Sequence, residues 1–173
     1  STKNRAISED TASVMNRLLR QVIIGSSGTG YRANMGDMEV IGKTGTSQDY
    51  YDRTFVGMTP YYIGGFWTGY DTPAVLPESQ LYAPDAVWKT IMSEVHEGLE
   101  AKQFELSDEV VAMEFCVESG LAVTSRCTET ETGYYKKSAL PGPCDMPHEG
   151  DDEESSSSTT EGGSSPLDAP VVN

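Results

Sequence analysis

No stretch of 18 apolar residues occurs in this 173-residue chain, so no segment reads as a membrane-spanning helix. Basic side chains are scarce: 12 Lys and Arg stand against 27 Asp and Glu, a formal net charge of −15. A chain of that sign repels phosphate backbones, which removes nucleic acid from the expected partners. The imbalance is local. Residues 1–103 hold 12 acidic and 9 basic side chains, whereas residues 104–173 hold 15 and 3. Aromatic residues are absent from Pro141 to Asn173, where Asp151-Asp152-Glu153-Glu154 runs into Ser155-Ser156-Ser157-Ser158 and then Gly162-Gly163-Ser164-Ser165. So little apolar surface cannot offset the entropy of ordering the segment. A disordered, solubilising acidic tail is the expectation for 149–173. A secretory leader is also not visible in Ser1–Ile7, a polar start without an initiator methionine, and the sequence reads as one that begins inside a longer protein.

What is present is patterned. Ser8-Glu9-Asp10 is a helix start, with a capping serine and two acids suited to the positive end of the dipole. Ala12, Met15, Leu19 and Val22 recur at helical spacing, so a helix is expected over 8–24, ended by Gly25. Gly25–Gly30 is a Gly/Ser-rich turn. No Gly-Lys-Ser/Thr follows it, so it reads as a flexible connection and not a phosphate loop. Three strands are expected, over 39–46, 54–59 and 62–70, joined by short polar links that favour antiparallel neighbours. A second helix is expected over 85–99. Val87 or Trp88, with Ile91, Met92, Val95 and Leu99, would form its apolar face and cover the sheet. His96 within it reads as a solvated helix histidine without a catalytic role.

The most informative stretch is Val40-Ile41-Gly42-Lys43-Thr44-Gly45-Thr46-Ser47. It ends an apolar strand and leads into a polar hairpin. Phe55-Val56-Gly57-Met58-Thr59-Pro60 and Gly65-Phe66-Trp67-Thr68-Gly69-Tyr70-Asp71 follow. That order resembles the transpeptidase half of the class A penicillin-binding proteins, with Met58 and Thr68 departing from the usual wording but not from the pattern. The likeness covers residues 5–105 closely and 106–148 more loosely. It implies an α+β fold, an antiparallel sheet flanked by helices, as part of a penicillin-binding/β-lactamase-like transpeptidase domain. The expected organisation is the C-terminal part of that domain over 1–105, a cysteine-containing extension over 106–148, and the acidic tail over 149–173.

A transpeptidase forms an acyl-enzyme on serine and passes the acyl group to an amine. The family uses Ser-x-x-Lys for nucleophile and base, Ser-x-Asn for proton shuttling, and Lys-Thr-Gly on an adjacent strand. By that resemblance Lys43 supplies positive charge near the shuttle serine and the substrate carboxylate. Thr44 hydrogen-bonds the terminal carboxylate of a stem peptide or of a penicillin. Gly45 lets the acyl chain lie against the backbone, and the N–H of Thr46 is one oxyanion donor. Strand alternation puts Lys43 and Thr44 on opposite faces, so both serve one cleft only from an edge strand. Neither Ser-x-x-Lys nor Ser-x-Asn occurs in the chain. The expectation is therefore a piece of a peptidoglycan D,D-transpeptidase that lacks the nucleophile and is inactive alone. Its implied partners are stem peptides, β-lactams and the N-terminal half of the same domain. Its implied location is the extracytoplasmic face of a bacterial membrane, held by an anchor outside this sequence. No cofactor is implied. The alternatives are a non-catalytic cell-wall peptide-binding module or a relative of the serine β-lactamases.

Cys116, Cys127, Cys144 and His148 form the pattern Cys-x10-Cys-x16-Cys-x3-His. The odd thiol count allows one intramolecular disulfide at most. Ordinary thiols or one disulfide are the first reading, with a zinc site the alternative, because no Cys-x-x-Cys knuckle is present.

Overall fold

The computed structural model describes residues 4–80 and 83–148. The chain is α+β. Helix α1 (Glu9–Ile24) is followed by three antiparallel strands, β1 (Ile41–Thr46), β2 (Arg53–Met58) and β3 (Ile63–Thr68). Helix α2 (Ala83–Val95) and the strands β4 (Val110–Cys116) and β5 (Thr130–Lys136) complete the order. The first sheet runs β1-β2-β3 and the second pairs β4 with β5. No helix among the described residues is long and apolar enough to cross a membrane. Residues 149–173, where the acidic tail is expected, lie outside the described residues.

The chain divides into two compact units. The first is Ser1–Met113 with Gly133–Leu140; the second is Glu114–Thr132 with the residues from Pro141 onward. The division passes through β4 and β5. Residues just beyond 105 are tied to α1: the Ser107 N–H donates to Ser13 Oγ at 2.9 Å.

In the first unit both helices cover one face of the three-stranded sheet. Alternation and register put Gly42, Thr44 and Thr46 on that face with Phe55, Gly57, Gly64 and Phe66. Phe55 and Trp88, both fully buried, meet edge to face with ring centroids 5.5 Å apart. Ile23, Ala33, Val40 and Met92 close the cluster around them. Glycine makes this packing possible. A Cβ at Gly57 would lie 2.6 Å from both Phe55 Cε1 and Trp88 Cε2, and one at Gly42 would lie 2.7 Å from Phe55 Cζ. The indole Nε1 then donates to the Gly64 carbonyl at 3.0 Å, so the buried ring leaves no orphan donor.

That fit sets the rotation of α2 and corrects its expected face. The buried line is Asp85, Trp88, Met92 and His96, while Ile91 and Val95 are 43% and 48% exposed. His96 is likewise not solvated. Its Nδ1–H donates to the Met92 carbonyl at 2.6 Å, which leaves Nε2 to accept the Thr59 hydroxyl at 2.8 Å. Tyr61 and Tyr62 stand edge-on to the imidazole. In α1, Met15 is exposed and the buried positions are Ser13 and Ile23.

Gly57→Ala is expected to destabilise the chain by about 1–3 kcal/mol through overpacking. Trp88→Ala should cost about 3–5 kcal/mol, and Ile91→Ala no more than about 0.5 kcal/mol. Urea unfolding of the three variants checks this. A loss at Ile91 as large as that at Trp88 would overturn the assigned face of α2.

Candidate functional site

The four residues Lys43–Thr46 lie together at the end of β1. Among the described residues β1 is paired on one side only, by β2, with Thr44 opposite Phe55 and Thr46 opposite Arg53. It is the edge strand that the sequence demands.

The polarity of that edge follows from the ladder. The Ser47 N–H donates to the Asp52 carbonyl at 3.0 Å, continuing the β1–β2 pairing. Antiparallel hydrogen bonding alternates, so the odd-numbered residues of β1 face β2. The N–H and C=O groups of Thr44 and Thr46 therefore point to the open edge. An independent contact agrees: the Thr44 carbonyl accepts the Lys43 ammonium at 2.9 Å and is not in the ladder. Although its Cβ is on the opposite face from Thr44, Lys43 thus curls its charge back to the same edge.

The side chains line a small cavity of about 150 Å³. Thr44, Gly45 and Thr46 line it with Thr29, Arg53 and Asp85. The Thr44 hydroxyl is 2.7 Å from the Thr29 hydroxyl, and the Arg53 guanidinium donates to Thr46 Oγ1. Arg53 also lies over the Tyr50 ring, 5.0 Å from its centroid. At Gly45 an added Cβ would lie 2.2 Å from Thr54 Oγ1. Any side chain there forces Thr54 to move.

Sequence reasoning missed Thr29, Arg53 and Asp85. The turn read as a flexible connection instead holds Thr29 against Thr44. It is closed by hydrogen bonds from the Gly28 N–H to the Gly25 carbonyl and from the Gly30 N–H to the Val22 carbonyl, both 2.9 Å. The Gly28-Thr29-Gly30 wording was the available signal. Asp85 sits in the first turn of α2, where Oδ1 accepts the Ala86 N–H at 3.0 Å. Its other oxygen is buried without a hydrogen bond.

An antiparallel sheet flanked by helices is the fold that the resemblance implies. Comparison with known proteins agrees. Residues 1–72 match the family described as Penicillin binding protein transpeptidase domain. Penicillin-binding protein 1A of Clostridium perfringens is 36% identical over 107 residues, 62% of this chain and 13% of that protein. Penicillin-binding protein 1A of Clostridium tetani is 32% identical over 147 residues, 80% of this chain and 18% of its own length. Penicillin-binding protein 4 of Bacillus subtilis is 40% identical over 76 residues, 43% of this chain and 12% of that protein. The crystal structure of Penicillin-Binding Protein 1A from Haemophilus influenzae superposes with a TM-score of 0.65 at 20% identity, covering 79% of this chain and 22% of that one. It shares the fold. The chain contains part of the transpeptidase domain of the penicillin-binding proteins, and spans under a fifth of the length of these curated relatives.

Burial pushes the Asp85 carboxyl above its usual value of 3.8, against the Ala86 N–H and the Arg32 charge, which pull it down. The folded state then holds the proton more tightly than the unfolded one. Stability accordingly falls as pH rises from about the unfolded value through the raised folded value. Asp85→Asn cannot titrate. Its stability relative to the native chain is expected to increase with pH across that window, measured by thermal unfolding. A difference that does not change with pH would show that Asp85 titrates alike in both states.

Proposed function

We propose that the parent protein is a peptidoglycan D,D-transpeptidase that cross-links stem peptides through a serine acyl-enzyme and is acylated by β-lactams. This chain supplies the Lys43-Thr44-Gly45-Thr46 edge of its cleft. The observation that carries the reading is the open edge of β1. There two outward N–H groups, two hydroxyls and one ammonium converge within the segment that matches the transpeptidase family.

Each group suits one part of acyl transfer. The Lys43 ammonium provides the positive charge for a substrate carboxylate and for the shuttle serine. The Thr44 hydroxyl, oriented by Thr29, donates to the terminal carboxylate. Gly45 keeps the strand bare so that an extended acyl chain lies along it. The Thr46 N–H is an oxyanion donor, fixed before the reaction and so free of reorganisation cost.

The serine nucleophile and its lysine come from elsewhere in the parent, since no Ser-x-x-Lys occurs in this sequence. The sheet face opposite Phe55 supports such a partner segment. Val56, Ile63 and Trp67 share that face and are 45%, 68% and 56% exposed. An apolar stripe of that kind calls for a cover, which the N-terminal half of the domain supplies in this reading. The extracytoplasmic face of the cell membrane is where the substrate would be met.

The chain alone is expected to take up no covalent label from a fluorescent penicillin, whereas the parent is labelled stoichiometrically. Labelling of the isolated chain would sink the division of the site between segments. In the parent, Thr44→Val keeps the shape and removes one hydrogen bond to a charged group, worth about 1.5–3 kcal/mol. Acylation efficiency should fall about tenfold to a hundredfold. An unchanged rate would remove Thr44 from the carboxylate.

A further inference from the structure

The described residues of the second unit form no core of large apolar side chains. Among its described residues the buried positions are Cys116, Cys144 and His148. Nothing in the transpeptidase reading uses them. A chain of this size without an apolar centre needs a cross-link or a metal to order it.

The geometry points to a structural zinc site formed by Cys116, Cys127, Cys144 and His148. One donor atom from each of the four lies within 4.8 Å of every other. His148 Nε2 is 3.6 Å from Cys116 Sγ and 3.3 Å from Cys144 Sγ. A tetrahedral centre with Zn–S of about 2.3 Å and Zn–N of about 2.0 Å has edges of about 3.5–3.8 Å. The two shorter separations already match, and the widest needs a contraction of roughly 1 Å to reach those edges.

The surroundings are those of a metal centre. The other imidazole nitrogen, Nδ1, lies 3.4 Å from the Glu118 carboxylate, and Nε2 is turned to the sulfurs. Ser119 donates its hydroxyl to Cys144 Sγ at 3.2 Å, and the Thr124 N–H donates to Cys127 Sγ at 3.3 Å. The backbone presents the ligands through tight turns: the Gly120 N–H closes on the Cys116 carbonyl at 2.8 Å with Gly120 at φ 72, and the Cys144 N–H bonds the Ala122 carbonyl at 2.8 Å.

A disulfide accounts for less. It would join two of the three sulfurs and leave the third beside a buried imidazole with no charge to bind. Three thiolates and one imidazole suit zinc, and calcium and magnesium take oxygen ligands instead. Binding releases the thiol protons to solvent and orders the segment at the same time.

The test uses the full chain, purified in reductant and freed of metal by chelation. Titration with cobalt(II) should give a thiolate-to-metal charge-transfer band and the intense visible absorption of a tetrahedral centre, saturating at about one ion per chain. Zinc should displace the cobalt. His148→Cys should retain a four-ligand site with a stronger charge-transfer band. Glu118→Gln should weaken zinc binding about tenfold to a hundredfold. The spectrum of the unaltered chain decides the matter even if a variant fails to fold. Absence of a tetrahedral thiolate spectrum would overturn the proposal. So would metal uptake unchanged in a Cys116→Ser, Cys144→Ser double variant, or a metal-free chain isolated without reductant that shows one free thiol on denaturation.

Discussion

The edge-to-face contact of Phe55 and Trp88 is the constraint on which the first unit depends. Phe55 occupies the middle of the central strand and Trp88 the middle of the covering helix. Phe55 fits only if positions 42 and 57 stay without side chains, and Trp88 only if position 57 does. The same ring approaches the turn after α1, because a Cβ at Gly30 would lie 3.1 Å from Phe55 Cε2. One aromatic side chain thus sets the spacing of β1, the rotation of α2 and the approach of the turn that carries Thr29. Thr44 is the residue directly across the ladder from it. The polar edge is positioned by the apolar contact beneath it.

A second constraint fixes where β1 begins. Glu39, 6% exposed, accepts Arg17 at 3.0 Å and Arg20 at 2.8 Å on one oxygen, and the Phe104 N–H at 2.6 Å on the other. Its own N–H donates to the Lys102 carbonyl at 2.9 Å. A buried carboxylate is costly unless its lone pairs are met by charges and hydrogen bonds. Here they are met from two directions, from α1 and from the segment after α2. Removing the carboxylate would leave two guanidinium groups without that partner at the point where the chain enters the site strand. The two arginines of α1 serve the strand.

Helices α1 and α2 and strands β1–β3 were legible because their signals are local: a serine at the helix start, which makes no side-chain cap hydrogen bond here, a helical stripe, apolar runs broken by Pro60 and short polar links; β4 and β5 were not expected. The edge position of β1 was legible too, by a chemical argument, since Lys43 and Thr44 reach one cleft only from an edge. What escaped depends on tertiary fit. Trp88, Ile91, Met92 and Val95 are indistinguishable by period, and only the gaps at Gly57 and Gly64 decide that Trp88 and Met92 turn inward. His96 looks solvated on a helical wheel, and it is buried because the Thr59-Pro60 turn brings a hydroxyl to its Nε2. Thr29, Arg53 and Asp85 come to the site from three separate elements. No spacing rule joins them. The four Cys and His positions were visible as a ligand set, but the convergence of their donors is a property of the turns between them.

An open strand edge is ordinarily a liability, because unpaired N–H and C=O groups invite another strand. This one is managed selectively. The Thr44 carbonyl is occupied by the Lys43 ammonium, so the edge has lost an acceptor and gained a positive charge. An incoming strand needs acceptors and donors in alternation, and it finds the acceptor already used. The outward N–H groups of Thr44 and Thr46 face no strand partner among the described residues. The edge is therefore biased from a general β-pairing surface toward one that donates hydrogen bonds beside a cation. A carboxylate or a developing oxyanion satisfies such an edge, and a neutral strand satisfies it poorly. In the proposed function, the same three residues that blunt the sheet edge would set the charge of the ligand it accepts.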